Sequence, residues 1–280
     1  MLRGSERKEA LASLERTHER YEEQAESTQN AITQLYGLRE KCSKVLISRV
    51  ETYINKMKNT PVEFDKSYSE FKSEIKVFDN IVEKLEKEYR ESHVGKGTAA
   101  AGVAAGAGVA AFAPTAALAV ATTFGTASTG TAIASLSGAA ATNAALAWLG
   151  GGALAAGGGG MSGSALLALA GPVGWGIGAL GIAGGTLLAR RKNGKIIEEA
   201  QYEERKIRTK LSELNVMKES VDGTIELTEK HYTGTDSIIN TLTKTAPHDY
   251  HDFNSQQKEL LGAMINHINS LSKLINKKLK

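Results

Sequence analysis

The chain has 280 residues, with 34 Lys+Arg against 31 Asp+Glu, a formal net charge of +3 and one cysteine. Charges of both signs alternate along the flanks, so no basic face forms and nucleic acid is excluded as a main partner. A lone Cys42 excludes an intrachain disulfide, and the length allows one large or two modest domains.

The start, Met1-Leu2-Arg3-Gly4-Ser5-Glu6-Arg7-Lys8, runs into charged helix with no apolar core of a Sec signal. Synthesis in the cytosol is expected, with either a soluble form that converts to a membrane-inserted one or an integral protein with both termini cytoplasmic. From Ser5 to about Lys58, apolar positions recur three and four apart. Leu11, Leu14, Tyr21, Ala25, Ile32 and Leu35 form one stripe, and Cys42, Leu46, Tyr53 and Met57 continue it after a drift near Arg39. His18, Thr28 and Arg39 interrupt the stripe as polar residues. This spacing predicts a long amphipathic helix of coiled-coil type.

Thr60-Pro61-Val62-Glu63 predicts a restart. Thr60 serves as cap, Pro61 takes the first helical position and Glu63 closes a capping box. Phe64, Tyr68, Phe71, Ile75, Phe78, Val82, Leu85 and Tyr89 then follow a heptad seam, which ends near His93. A short link predicts that this helix folds back antiparallel on the first. Residues 1–96 are thus an N-terminal amphipathic pair.

From Gly97 to Ala189 there is no Asp, Glu, Lys, Arg or His. A membrane-spanning helix takes about 20 apolar residues, so this insert is long enough for two to four crossings. Pro114, Gly150-Gly151-Gly152, Gly157 to Gly160 and Pro172 divide it into helical pieces. Gly102/Gly106, Gly174/Gly178 and Gly181/Gly185 give small-xxx-small faces suited to close helix contact in lipid. Trp148 and Trp175, beside glycines, are candidate markers of membrane depth, or else fill the core of a soluble form. Lys96 precedes the run, and Arg190, Arg191, Lys192 and Lys195 follow it. By the positive-inside rule both ends then face one side, and the number of crossings is even. The Ala/Gly composition is only mildly apolar, which favours conditional insertion over a permanent anchor.

Residues 190–280 are expected to pack on the N-terminal pair. Ile197, Ala200, Ile207, Leu211, Leu214, Val221, Ile225 and Tyr232 form a third stripe, with Glu204 as an exception. Gly223 weakens it, Gly234 is its expected stop, and Ser237 to Thr245 is a short further piece. A last helix from Asn254-Ser255 carries Leu261, Met264, Ile268, Leu271 and Ile275, with Lys277, Lys278 and Lys280 beyond its end.

Chemical motifs are sparse. Gly176-Ile177-Gly178-Ala179-Leu180-Gly181 matches G-x-G-x-x-G, but no strand alternation surrounds it as a dinucleotide site requires. Gly95-Lys96-Gly97-Thr98 lacks the upstream glycine of a phosphate loop. His248 and His251, interleaved with Asp249 and Asp252, are a candidate metal pair, although the same residues read more simply as a polar turn into the last helix. No nucleophile–base arrangement stands out, so neither an enzyme nor a cofactor is expected.

Long amphipathic helices on both sides of one uncharged insert resemble the layout of the ClyA-type α-pore-forming toxins, including the bacillary tripartite enterotoxins. The run Ala144-Ala145-Leu146-Ala147-Trp148-Leu149-Gly150-Gly151-Gly152 is also similar to inserts of apolipoprotein L-like channel formers. The resemblance implies an all-α, elongated antiparallel helical bundle that stores an apolar hairpin and releases it into a lipid bilayer on forming a homo-oligomer, with or without a partner subunit. A toxin or a cell-killing defence effector follows as the expected role. A permanently anchored coiled-coil scaffold is the alternative, and a wholly soluble helical protein with a close-packed Ala/Gly core is a third.

Overall fold

A computed structural model describes residues 2–93, 123 and 193–279. Among them the secondary structure is helical, with no strand. Helix α1 spans Leu2–Lys41 and passes through a π-helical turn at Cys42–Leu46 into α2, Ile47–Lys56. Helix α3 spans Val62–His93, α4 Asn193–Thr245 and α5 Ser255–Ile275.

The π turn accounts for the drift that the sequence places near Arg39. It inserts an extra residue into the ladder and re-phases the stripe, so that Leu35, Cys42, Leu46, Val50 and Ile54 all stay buried. The break before α3 forms differently from the expected capping box. The Thr60 hydroxyl donates to the Met57 carbonyl at 3.3 Å, and the Pro61 carbonyl receives the amides of Phe64 and Asp65. Asn59 turns the chain there with φ 53°, a left-handed conformation that Asn tolerates better than most residues. Its side-chain amide is held by both carboxylate oxygens of Asp249 at 2.9 Å.

The most extensive packing is between α1 and α4, and these two helices run parallel. Their cross-links climb in the same order on both: Ser13 Oγ to Glu204 at 2.9 Å, Arg49 Nη2 to Asn240 at 2.7 Å, then a parallel backbone bridge from Lys58 to Asp249. The expectation of a wholly antiparallel bundle is therefore corrected. Sequential helices are antiparallel, as Ser43–Asp79 and Lys72–Glu51 show for α3 against the first helix. The large insert lets α4 start at the same end of the molecule as α1. Helix α3 also packs more on α5 than on the first helix.

The stripes read from the sequence form one core. Leu14, Tyr21, Ile32 and Leu35 of α1, Phe64, Phe71 and Phe78 of α3, and Ile207, Leu214 and Val221 of α4 meet Leu261, Met264, Ile268 and Leu271 of α5. Glu204, the polar exception, sits against α1. Burial raises its carboxyl, but hydrogen bonds from Arg208, Ser13 and Thr17 outweigh this and hold it below the ordinary value. Buried Thr28 and Thr228 are satisfied within their own helices, by the carbonyls of Gln24 and Thr224, each at 2.7 Å.

Gly234 does not stop α4, which continues through it to Thr245. A side chain there has no room, because a Cβ would lie 2.5 Å from ring atoms of His267 on α5. The last helix starts as expected, with a reciprocal capping box between Asn254 and Gln257. Replacing Gly223, where a Cβ meets nothing within 4 Å, by Ala should raise stability by about 0.5–1 kcal/mol through helix propensity. The same change at Gly234 should lose that gain to the clash with His267. Urea midpoints of the two variants check the contrast.

Candidate functional site

The membrane-active residues expected from the sequence lie outside the described residues: Gly102, Gly106, Gly174, Gly178, Gly181, Gly185, Trp148, Trp175, Lys96, Arg190, Arg191 and Lys192. Lys195 is described and exposed in the first turns of α4. No helix among the described residues is long and apolar enough to cross a membrane. One residue of the apolar stretch, Thr123, is described, and it is fully buried. Its backbone carbonyl accepts the amide of Leu279 at 3.0 Å.

That contact joins the stretch to the tail after α5, and the tail is fixed by an arrangement the sequence reading missed. Arg39, read there as an interruption of the α1 stripe, is completely buried. Its Nη2 donates to the carbonyls of Leu274 at 3.0 Å and Lys277 at 2.7 Å. The last carbonyls of a helix have no partner within the helix and carry partial negative charge. The guanidinium therefore crosses from α1 to cap α5. Asn276 ties the same tail to α3, its Nδ2 donating to the Glu74 carbonyl at 2.8 Å and to Glu74 Oε2 at 2.7 Å. Leu279 is buried beyond it.

Two cations share this tail. Burial lowers the Arg39 guanidinium to about 10, still charged at neutral pH. Burial, helped by the nearby Arg39 charge, lowers Lys278 to about 8. Cys42 lies one helical turn from Arg39, where burial pushes its thiol up to about 12 although Arg39 pulls the other way. A thiol held neutral and out of solvent is a packing residue and not a nucleophile.

His248 and His251, the candidate metal pair, are exposed in the link between α4 and α5. Asp249 caps the short 3-10 turn Tyr250–Asp252, accepting the His251 amide at 2.9 Å. The hydrogen bond from Asn59 does most to lower its carboxyl, and the His251 amide adds to this. The residues thus form the polar turn of the simpler reading. Among the described residues no group of three or more His, Cys, Asp or Glu is placed to hold a metal.

A cleft of about 280 Å³ lies between the ends of α2 and α4, with Tyr53, Met57 and Leu242 in its walls and Lys56, Lys244 and His248 at its rim. Both lysines lie in the last turns of their helices, where they offset the partial negative charge of the helix ends. That role accounts for them without an anionic ligand.

A different histidine pair, unnoticed in the sequence, joins α4 to α5. His231 and His267 face each other with Nδ1 atoms 2.8 Å apart and ring centroids at 5.1 Å. Each precedes a stripe residue, Tyr232 and Ile268, so only the packing of α5 on α4 brings them together.

No protein-family model matches this chain, and the comparisons with curated proteins and with solved structures give no match either.

Two outcomes follow from the tail geometry. Arg39→Ala removes two charge-assisted hydrogen bonds, each worth about 1.5–3 kcal/mol, so the protein should lose about 3–5 kcal/mol in urea unfolding. Cys42 should be inert to a thiol-specific chromogenic reagent in the native protein and react fully once denatured.

Proposed function

We propose that this protein is a membrane-inserting, pore-forming helical bundle that stores its uncharged stretch, Gly97 to Ala189, and releases it into a lipid bilayer on homo-oligomerisation. The observation that carries the reading is a segment with no ionisable side chain, set between helices that bury their own apolar stripes on one another. Such a segment can enter a bilayer without the cost of desolvating charge, and the bundle around it does not need the segment to complete its α1–α4 seam. The contact between Thr123 and Leu279 supports storage, since it binds the stretch to the tail that Arg39 and Asn276 hold. Small-residue faces at Gly174/Gly178 and Gly181/Gly185 provide the close helix contact needed inside a membrane. A toxin, or an effector that kills or arrests its own cell, is the role that fits.

The test starts from full-length protein expressed without detergent. Its soluble fraction should release dye from loaded liposomes. Gly178→Leu, which blocks close packing, should cut the leakage rate by about tenfold or more without changing the helical content of the soluble form. Protein found only in the membrane pellet, silent on reconstitution, would favour a permanently anchored scaffold. Full leakage by Gly178→Leu would remove the glycine contact from the mechanism.

A further inference from the structure

We propose that the His231–His267 contact is an acid-sensitive clasp between α4 and α5, whose opening frees the tail that holds the apolar stretch.

Two Nδ1 atoms 2.8 Å apart make a hydrogen bond only when one carries hydrogen and the other presents a lone pair. The donor ring can take a second proton at Nε2 and still donate from Nδ1. The acceptor ring cannot, since its proton would go to Nδ1 and set two N–H groups head to head. The contact therefore survives one charge and fails with two.

The surroundings oppose the second charge. Burial lowers the proton affinity of both rings. The opposing imidazole lowers that of His231 further, and Lys230 lowers both. Lys230 on α4 is the charged group that acts on the pair, and on the α5 side the facing titratable group is His267 itself. No carboxylate among the described residues acts on either ring to stabilise a doubly protonated pair. Gly234, one turn from His231, leaves the space that the far edge of the His267 ring fills, so the two rings are held against each other. An isolated His titrates near 6.5. A pair whose folded-state affinity lies below that value contributes its full stability above about pH 6.5. It loses that contribution as pH falls from there toward the folded-state value.

The mechanical consequence follows from what lies along α5. The helix ends at Ile275, and its tail carries the carbonyls that Arg39 caps, the Asn276–Glu74 tie and the amide that binds Thr123. Loosening α5 from α4 strains all three together. The consequence for membranes rests on the proposed storage and release of the stretch, but the clasp itself does not.

Hydrogen exchange of the full chain tests the clasp without a membrane. Between pH 7.5 and 5.5, amides of α5 should open about tenfold more often than the intrinsic pH dependence allows. In the double variant His231→Gln/His267→Gln this excess should vanish while helical circular dichroism is retained. In His248→Gln/His251→Gln it should persist. An unchanged acid response in the first variant, or none in the wild type, overturns the proposal. If the first variant fails to fold, imidazole NMR of the wild type decides. Two coupled steps below the ordinary histidine value sustain the clasp, and two independent steps at that value refute it. Liposome leakage measured at both pH values separates the two ideas. Acid-opened exchange with no leakage at either pH keeps the clasp and sinks the membrane reading, and leakage without acid-opened exchange does the reverse.

Discussion

A single buried guanidinium sets the geometry of the bundle. Arg39 belongs to α1, yet its hydrogen bonds go to the carbonyl end of α5, more than two hundred residues later in the chain. Removing a full charge from water is expensive, and only groups that need a donor in a fixed place repay it. The carbonyl end of α5 is such a place. Because the Arg39 side chain has finite reach, the last turn of α5 must lie across α1 at that height. Leu271 and Ile275 then join the core, and Asn276 falls within reach of Glu74.

The π turn and the arginine act together. Arg39 occupies a core position of the α1 stripe, where an uninterrupted helix would carry an apolar residue. The π turn immediately after it resets the phase, so Cys42 and Leu46 return to the core although the arginine has taken one inward position. Ser43, also turned inward there, donates to Asp79 of α3. One local irregularity thus gives α1 contacts with α3 and α5 at the same level.

Much of the helical layout was legible in the sequence because it depends on periodicity, and a heptad stripe has one stable use. The aromatic seam from Phe64 to Phe78, the α5 seam from Leu261 to Ile275 and the Asn254 cap all follow from spacing and local hydrogen bonding. What failed depends on partners distant in sequence. Gly234 reads as a stop by propensity, and only the His267 ring shows why α4 passes through it. Arg39 reads as a blemish until the end of α5 is placed against it. The parallel course of α1 and α4 was hidden because the link between them is the uncharged stretch itself, and local rules for short links do not apply to it. Of the expected site, Lys195 and the turn residues His248 and His251 fall within the described chain. The histidine pair that joins α4 to α5 had no periodic signature at all.

The parallel pairing of α1 with α4 has one geometric consequence for the apolar stretch. Asp79 of α3 lies beside Ser43, and Glu204 of α4 lies beside Ser13. Continuing each helix to its end at 1.5 Å per residue places His93 near the middle of α1 and Asn193 near its start, a step of about 40 Å along the axis. The two footings of the stretch therefore stand on different storeys, separated by more than the roughly 30 Å of a bilayer's hydrocarbon core. Bringing the two footings to one level takes either a longer α3 or the unravelling of about seven turns of α4. By the second route the cost falls on the half of the α1–α4 seam that lies farthest from Arg39.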